Sequence, residues 1–450
     1  MTALTDIFKA YDIRGLVPDQ LDEERCEAIG AAFAGFVRDH PSGGRRVVLG
    51  RDMRPSGEAL SGAFARGVQG QGLDVVDVGL CSTDMLYFAS GKFDAPGAVF
   101  TASHNPAAYN GIKLCLAEAR PVGQETGLAE IRAAAEAGPP PPVGDPGERT
   151  QEEVLADFGA HVRSFVDVDR LEPLKVVADT ANGMGGLVVP AVFDGLPFDL
   201  ELMYAELDGT FPNHPADPIQ PENQQDLMAR VSEVGADVGL AFDGDADRVF
   251  LVDEQAQGLS GSLTTAIVAS GILDKEPAAT IIHNLICSKA VPEVVREKGG
   301  SPVRSRVGHS FIKQVMAETD AAFGGEHSGH YYFRDNYRAD SGLIAALVVL
   351  EQLSVAAVPL SELRRPFERY AASGEINTVV DDQSAVIERV AEAYADADQD
   401  RLDGLTVDLG DWWFNLRPSN TEPLLRLNLE ADTEEECDRH VAEVQELLKT

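Results

Sequence analysis

At 450 residues the chain is long enough for two to four domains of roughly 100–200 residues each, and its 44% hydrophobic and 7% aromatic content marks it as folded and globular. Asp and Glu number 74 against 37 Lys and Arg, a formal charge of −37. Nucleic acid and anionic membrane are densely negative and are excluded as main partners, whereas a small anionic ligand needs only one locally positive cleft.

Met1 to Phe8 lacks a basic stretch followed by a long apolar one, so no signal peptide is expected. Cys26, Cys81, Cys115, Cys287 and Cys437 lie far apart with no C-x-x-C, which predicts neither a disulfide framework nor a zinc knuckle and suits a reducing cytoplasm. The longest apolar run, Leu343 to Leu350, is too short to span a bilayer and reads as a buried helix.

Three stretches repeat one pattern. Residues 46–50 (RVVLG), 175–178 (KVVA) and 280–283 (TIIH) read as buried strands, each followed by helical sequence and a second β-like run at 73–79, 200–207 and 302–307. A third run then ends each unit in a polar loop: GAVFTASHNP (97–106), VGLAFDGDADR (238–248) and AAFGGEHSGH (321–330). Alternating strands and helices predict α/β units with mostly parallel strands, whose ligand-binding loops sit at strand ends. GPPPPVGDP (138–146) cannot lie inside a helix or a central strand and reads as a linker or stiff surface connection. From about Phe367 the pattern changes. Residues 384–400 are helical in period, 406–409 and 424–429 read as strands, and Thr433 with Glu436 forms a capping box at the start of a last helix, 433–449. The predicted fold class is α/β: three similar mixed α/β domains (1–145, 146–252, 253–366) and a smaller C-terminal α+β domain (367–450) around a central cleft.

Each domain offers one loop with chemistry in it. Asp243, Asp245 and Asp247 alternate with small residues at the end of a buried strand; carboxylates packed this closely repel unless a cation neutralises them, and all-oxygen ligation suits Mg²⁺ or Ca²⁺. An EF-hand is rejected, because Arg248 stands where that loop needs Gly and a strand follows. Ser103 sits in TASHNP (101–106), which reads as an ordinary turn or a phosphorylated serine; a nucleophile elbow is absent, and the loop by itself does not choose. Arg417, Ser419, Asn420 and Thr421, with Arg426 on the next strand, combine a guanidinium, two hydroxyls and an amide that can enclose a phosphate. Glu326 and Ser328 are placed to accept hydrogen bonds from sugar hydroxyls; His327 and His330 are not read as a zinc pair, since glycines flank both.

Taken together and in order, FKAYDIRG (8–15), TASHNP (101–106), NGIK (110–113), DGDADR (243–248), VGH (307–309), GEHSGH (325–330) and RPSNTEP (417–423) resemble the α-D-phosphohexomutase family over essentially the whole chain, and within it the phosphomannomutases and dual phosphomannomutase/phosphoglucomutases. The resemblance implies that Ser103 is phosphorylated in the active enzyme and that Mg²⁺ is held by Asp243, Asp245, Asp247 and the Ser103 phosphate. It implies interconversion of mannose 6-phosphate and mannose 1-phosphate, with glucose phosphates as further substrates, through a bound hexose 1,6-bisphosphate. Phosphoglucomutase as the main activity is the alternative, and a Mg²⁺-dependent sugar phosphatase a more distant one. Arg14, Lys113 and Arg248 match the family's cations, and Arg14 and Lys113 match positions near its acid/base step. His309 and the loops around Glu326 and Arg417 match its substrate-binding positions. His104, next to Ser103, is a candidate proton shuttle. Hexose phosphates are the expected partners of a cytoplasmic monomer or homodimer, with no nucleic acid and no membrane. Two departures stand out: Ser262 where many members carry Asp, and Ile286 where some dual-specificity members carry Lys.

Overall fold

The computed structural model describes residues 4–41, 43–138, 141–418 and 424–449. Four sheets account for the strands: one of seven, two of four and one of five. The first three contain the same four-strand unit. In the first sheet, Arg46–Arg51 is flanked in parallel by Asp74–Leu80 on one side and Gly97–Phe100 on the other, and Tyr109–Leu116 returns antiparallel beside Gly97–Phe100. Lys175–Asp179, Asp199–Met203, Val238–Phe242 and Val249–Asp253 repeat that order. Thr280–Asn284, Ser301–Ser305, Phe323–Gly325 and Tyr331–Phe333 repeat it again. The expected internal repeat is thus a repeat of topology, with sheets that are mixed because each fourth strand turns back.

This order decides where ligands go. The chain leaves the first strand of a unit in one direction, then crosses over it to lay down the third. The reversal opens a crevice at the carboxyl ends of these two strands, the usual binding site of an open α/β sheet. The loops after Phe100, Phe242 and Gly325 all lie at such a reversal.

The first sheet extends beyond the unit. Ile13–Leu16 lies on the far side of Tyr109–Leu116, and Arg149–Gln151 pairs with Asp74–Leu80. The edge strand therefore belongs to the first sheet although it follows residue 145, where the first domain was expected to end. On the way to it, Val143 N–H donates to Gly70 O and Gly147 N–H to Gln69 O.

One apolar core runs through the first three domains, joining Leu86, Phe158, Val188, Leu251, Ile267 and Leu347. Gly342–Ala356, which contains the expected 343–350 run, lies in it with almost every residue buried. Among the described residues no single helix is long and apolar enough to cross a membrane. All five cysteines are free and buried.

The last domain has its own core, in which Leu405, Phe414, Leu416, Leu425, Leu427 and Val444 are enclosed. Its antiparallel sheet runs Ala371–Val379, Leu424–Ala431, Trp412–Pro418, Leu405–Asp408, Asp398–Asp400. Two expectations are corrected here. Helix Gln383–Ala393 ends well before residue 400, and Asp398–Asp400 is an edge strand. Arg417 closes strand Trp412–Pro418 and does not begin a loop. The capping box forms in altered form: Glu436 N–H donates to Thr433 Oγ1 at 3.3 Å, and the Glu436 carboxylate takes the Thr433 hydroxyl at 3.1 Å.

Candidate active site

The serine loop leaves Gly97–Phe100 and turns sharply at Ser103, whose φ of 49° is left-handed for a residue with a side chain. Two groups hold that turn. Thr101 Oγ1 accepts the Ser103 N–H at 2.9 Å. Arg54, in the loop after the first strand of the unit, donates to the carbonyls of Ser103 (2.9 Å), Asn105 (2.6 Å), Pro106 (2.9 Å) and Tyr109 (2.8 Å). Backbone strain held by surrounding structure is typical of functional loops.

The carboxylate loop of the second unit packs directly against it. A Cβ at Gly244 would stand 2.5 Å from the Ser103 carbonyl oxygen, so only glycine allows this approach. Asp243 Oδ2 accepts the Ser103 hydroxyl at 2.7 Å and Arg248 Nε at 2.9 Å. Asp245 Oδ2 accepts from Thr83 Oγ1 (2.5 Å) and Lys113 Nζ (2.7 Å), and Lys113 also reaches Asp247 Oδ2 at 2.7 Å. Among the described residues, Asp245 Oδ1 and Asp247 Oδ1 are buried without a hydrogen-bond partner. The trio offers one oxygen each within 4.8 Å of the others. Three carboxylates, two unpaired inward oxygens and no sulfur or nitrogen ligand in the set fit a hard divalent cation.

The electrostatics are divided. Burial and the two neighbouring aspartates push the Asp243 carboxyl far above its ordinary range, against Arg248. Burial acts the same way on Asp245, but Lys113, Thr83 and Arg248 outweigh it and hold that carboxyl well below. Burial would lower Lys113, yet Asp245 and Asp247 keep it firmly protonated. Burial, Arg248 and Arg14 together depress His104, so its ring is neutral, and Nδ1 lies 2.6 Å from Arg248 Nη2 and 3.3 Å from Ser103 Oγ. A neutral Nδ1 in that position accepts hydrogen bonds.

Arg14 approaches from the first sheet, donating to Asp12 (2.7 Å) and to Asn105 Oδ1 (2.5 Å) of the serine loop. The third unit closes the other wall. Ser328 Oγ lies 3.0 Å from His330 Nδ1, and His330 Nε2 lies 3.8 Å from Asp247 Oδ1. Glu326 is buried and already accepts from Tyr332 (2.6 Å), Asn284 (3.2 Å) and Gly308 N–H (3.2 Å). Its carboxylate thus ties the sugar loop to the Gly308–His309 turn and keeps about one of its four lone-pair sites for anything else. His309 is half-buried and lies edge-on against Tyr11, its ring kept neutral by desolvation.

Arg14, Ser103, His104, Lys113, Asp247, Arg248, His309, Glu326, Ser328 and Arg426 line one cleft of about 1130 Å³. Asp243 and Asp245 lie just beneath it. Arg417 stands beside Arg426 on the last sheet. Ser419, Asn420 and Thr421 lie outside the described residues. Ser262, one of the two departures, lies 3.2 Å from His327 Nδ1 and accepts the Ser288 N–H; Ile286 is buried.

Sequence reasoning missed Arg54, Thr83 and His330. Arg54 does carry a signal, because it stands in the loop after a first strand, beside the reversal at which Ser103 was already placed. The same holds in the other units: Met184 N–H donates to Gly244 O at 2.9 Å, and Asn284 donates to Glu326.

Four family models match the chain in order: phosphoglucomutase/phosphomannomutase α/β/α domain I over residues 5–140, domain II over 156–258, domain III over 260–370 and the C-terminal domain over 375–447. A phosphomannomutase of Salmonella typhimurium is 42% identical over 442 residues, covering 96% of each chain. A protein of Xanthomonas campestris described as phosphohexose mutases is 41% identical over 430 residues, 94% of each. The crystal structure of a phosphoglucomutase/phosphomannomutase family protein from Burkholderia thailandensis superposes with a TM-score of 0.90 at 32% identity, covering all of this chain and 98% of that one. The chain belongs to the phosphoglucomutase/phosphomannomutase family of intramolecular phosphotransferases, the α-D-phosphohexomutases.

Proposed function

We propose that the protein is a phosphomannomutase that also accepts glucose phosphates, moving a phosphoryl group between O1 and O6 of the hexose by way of Ser103. The observation that carries this reading is that the Ser103 hydroxyl, 2.7 Å from Asp243 and 3.2 Å from Arg248, lines the same cleft as Arg426 of the last domain. A phosphatase has no use for a second cationic pocket on a separate domain. A mutase needs one, because its intermediate carries two phosphates. The substrate assignment rests on the relatives named phosphomannomutase.

In the proposed cycle the phosphorylated Ser103 gives its phosphoryl group to the free hydroxyl of a hexose monophosphate. The bond from phosphorus to Ser103 Oγ breaks, one to the sugar oxygen forms, and the hydroxyl proton passes to a base beside it, for which neutral His104 is the candidate. The hexose 1,6-bisphosphate then turns over and returns its other phosphate to Ser103. Asp243, Asp245 and Asp247 are the proposed ligands of Mg²⁺, which offsets phosphoryl charge when bound. Arg248, Lys113 and Arg14 orient the transferring group and stabilise its charge. Arg417 and Arg426, with Ser419, Asn420 and Thr421 as further candidates, would hold the phosphate that does not react, and Glu326, Ser328 and His309 would border the sugar.

The test is turnover of mannose 1-phosphate, glucose 1-phosphate and glucosamine 1-phosphate with Mg²⁺ and a trace of hexose 1,6-bisphosphate, while inorganic phosphate is followed. The expected outcome is isomerisation of the mannose and glucose compounds without phosphate release, and a loss of at least about a thousandfold in Ser103→Ala. Phosphate release without isomerisation would establish the phosphatase instead, and wild-type turnover by Ser103→Ala would remove the phosphoserine.

A further inference from the structure

Arg417 and Arg426 face each other directly across adjacent antiparallel strands, so both guanidiniums project from the same face of the last sheet. Like charges directly opposite one another destabilise a sheet, and burial aggravates this for Arg417, which is only 8% exposed. Something must offset the two charges while no phosphate is bound. Asp403 and Glu375 both offset the Arg417 charge, and Glu375 reaches both arginines: its Oε2 accepts from Arg417 Nη2 at 3.2 Å and its Oε1 lies 3.4 Å from Arg426 Nη1. One carboxylate bridges both cations, while Arg417 Nε and Arg426 Nε find no hydrogen-bond partner among the described residues.

Glu375 reaches that face only through an irregularity in its strand. Ala372 pairs with Glu430, but Glu375 pairs with Asn428, one residue out of step. A regular ladder would set Glu375 opposite Leu427, whose side chain points to the other face. The extra residue falls at Ser373–Gly374, and Gly374 takes a left-handed φ of 67°. Bulges re-aim side chains in this way beside binding sites.

We infer that Glu375 is a resident anion in the phosphate pocket: its carboxylate occupies the two arginines between ligands and competes with the incoming phosphate for them. The inference rests on the mutase reading for its purpose. A phosphate held too firmly by Arg417 and Arg426 could not let go for the bisphosphate to turn over, and a built-in competitor lowers the affinity to a level that permits exchange. No contact of Glu375 with Ser103 or the carboxylate trio is found among the described residues, so it acts on the reaction only by competing for the two arginines.

The experiment compares wild type, Glu375→Gln and Glu375→Asp in the full-length protein. Inorganic phosphate binding is measured by calorimetry without Mg²⁺, with Arg417→Ala in each background to identify the site. Removing the competing charge is expected to tighten the Arg417-dependent binding of inorganic phosphate by about three- to tenfold. It is also expected to lower the KM for mannose 1-phosphate together with kcat, as release slows. Glu375→Asp, which keeps the charge on a shorter arm, is expected to bind phosphate less tightly than Glu375→Gln. Weaker or unchanged phosphate binding in Glu375→Gln, with the fold intact by circular dichroism, overturns the inference and makes Glu375 a support for the arginines. The phosphate titration does not depend on turnover. If the wild type fails to isomerise any hexose phosphate while Glu375→Gln still binds phosphate more tightly, it is the mutase reading that fails.

Discussion

Arg54 is fully enclosed, paired with Asp52 at 3.3 Å, and gives hydrogen bonds to four carbonyls of the serine loop. Its charge is delocalised over a planar fork, which suits it to gather carbonyls that converge from one turn. Burial pushes Asp52 up to about 6, and Arg54 is what opposes this. Arg54→Met therefore removes the clamp and strands a buried carboxylate. The expected cost is roughly 3–5 kcal/mol in urea unfolding, the usual penalty for breaking a buried pair on one side. Arg54→Met with Asp52→Asn is expected to recover part of that stability but not the activity, because the four carbonyls stay unbound. Full recovery of activity in the double variant would show that the serine loop holds its left-handed turn unaided. Ser103, the three aspartates and Arg417 were singled out through the ordered set of motifs, since each loop alone also reads as an ordinary polar turn. Arg54 was not, since its partners are main-chain atoms up to 55 residues away.

At the scale of elements, the four-strand unit was legible because its buried strands are short apolar runs between polar loops. The last sheet was less so. Ala371–Val379 carries a bulge, which breaks the alternation by which a strand is recognised, and it lies at an edge where polar residues are tolerated. Asp398–Asp400 follows a run of alanines that extends a helical pattern past the true end at Ala393. Strand Thr280–Asn284 hides a different property. His283 is buried in it, with Nδ1 on the Asn284 carbonyl at 3.1 Å and the cations Arg304 and Arg296 nearby. Burial, and then those arginines, lower it from 6.5 to about 4, so the folded protein holds a neutral ring where the unfolded chain takes up a proton. A depressed pKa contributes stability that is complete above the unfolded value and is lost as pH falls towards the folded one. Between about pH 6.5 and about pH 5 this histidine alone should cost on the order of 2 kcal/mol. His283→Gln is expected to flatten the acid side of the stability profile, read from urea midpoints across that range. An unchanged slope would mean that the ring is already charged in the fold.

For the molecule as a whole, the contrast that matters is between two kinds of joint. The first three domains share one apolar core, whereas the last meets the third largely through charges. Lys289 Nζ pairs with Asp408 at 2.7 Å and donates to Gly410 O, its N–H donates to Glu430 at 2.9 Å, and Arg304 pairs with Asp400. Asp403 accepts the Val307 N–H at 3.3 Å, beside the His309 turn. An apolar core is insensitive to salt, but exposed and half-exposed ion pairs weaken as the Debye length shrinks from about 30 Å at 0.01 M to about 3 Å at 1 M. Only the last domain should therefore loosen as salt rises, and it is the domain that carries Arg417 and Arg426. In the proposed cycle, opening there would admit the substrate and closing would keep the intermediate from water, a gating role suited to the weaker joint. The expected result is that hydrogen exchange in peptides from 285–308 and 398–410 speeds up between about 0.05 M and about 0.5 M NaCl, while peptides from 343–356 do not change. Lys289→Met should reproduce that pattern at low salt, because it removes the cation that bridges Asp408 and Gly410. Salt-dependent exchange in 343–356 would instead mean that the shared core, too, relies on charge and that the molecule loosens as one body.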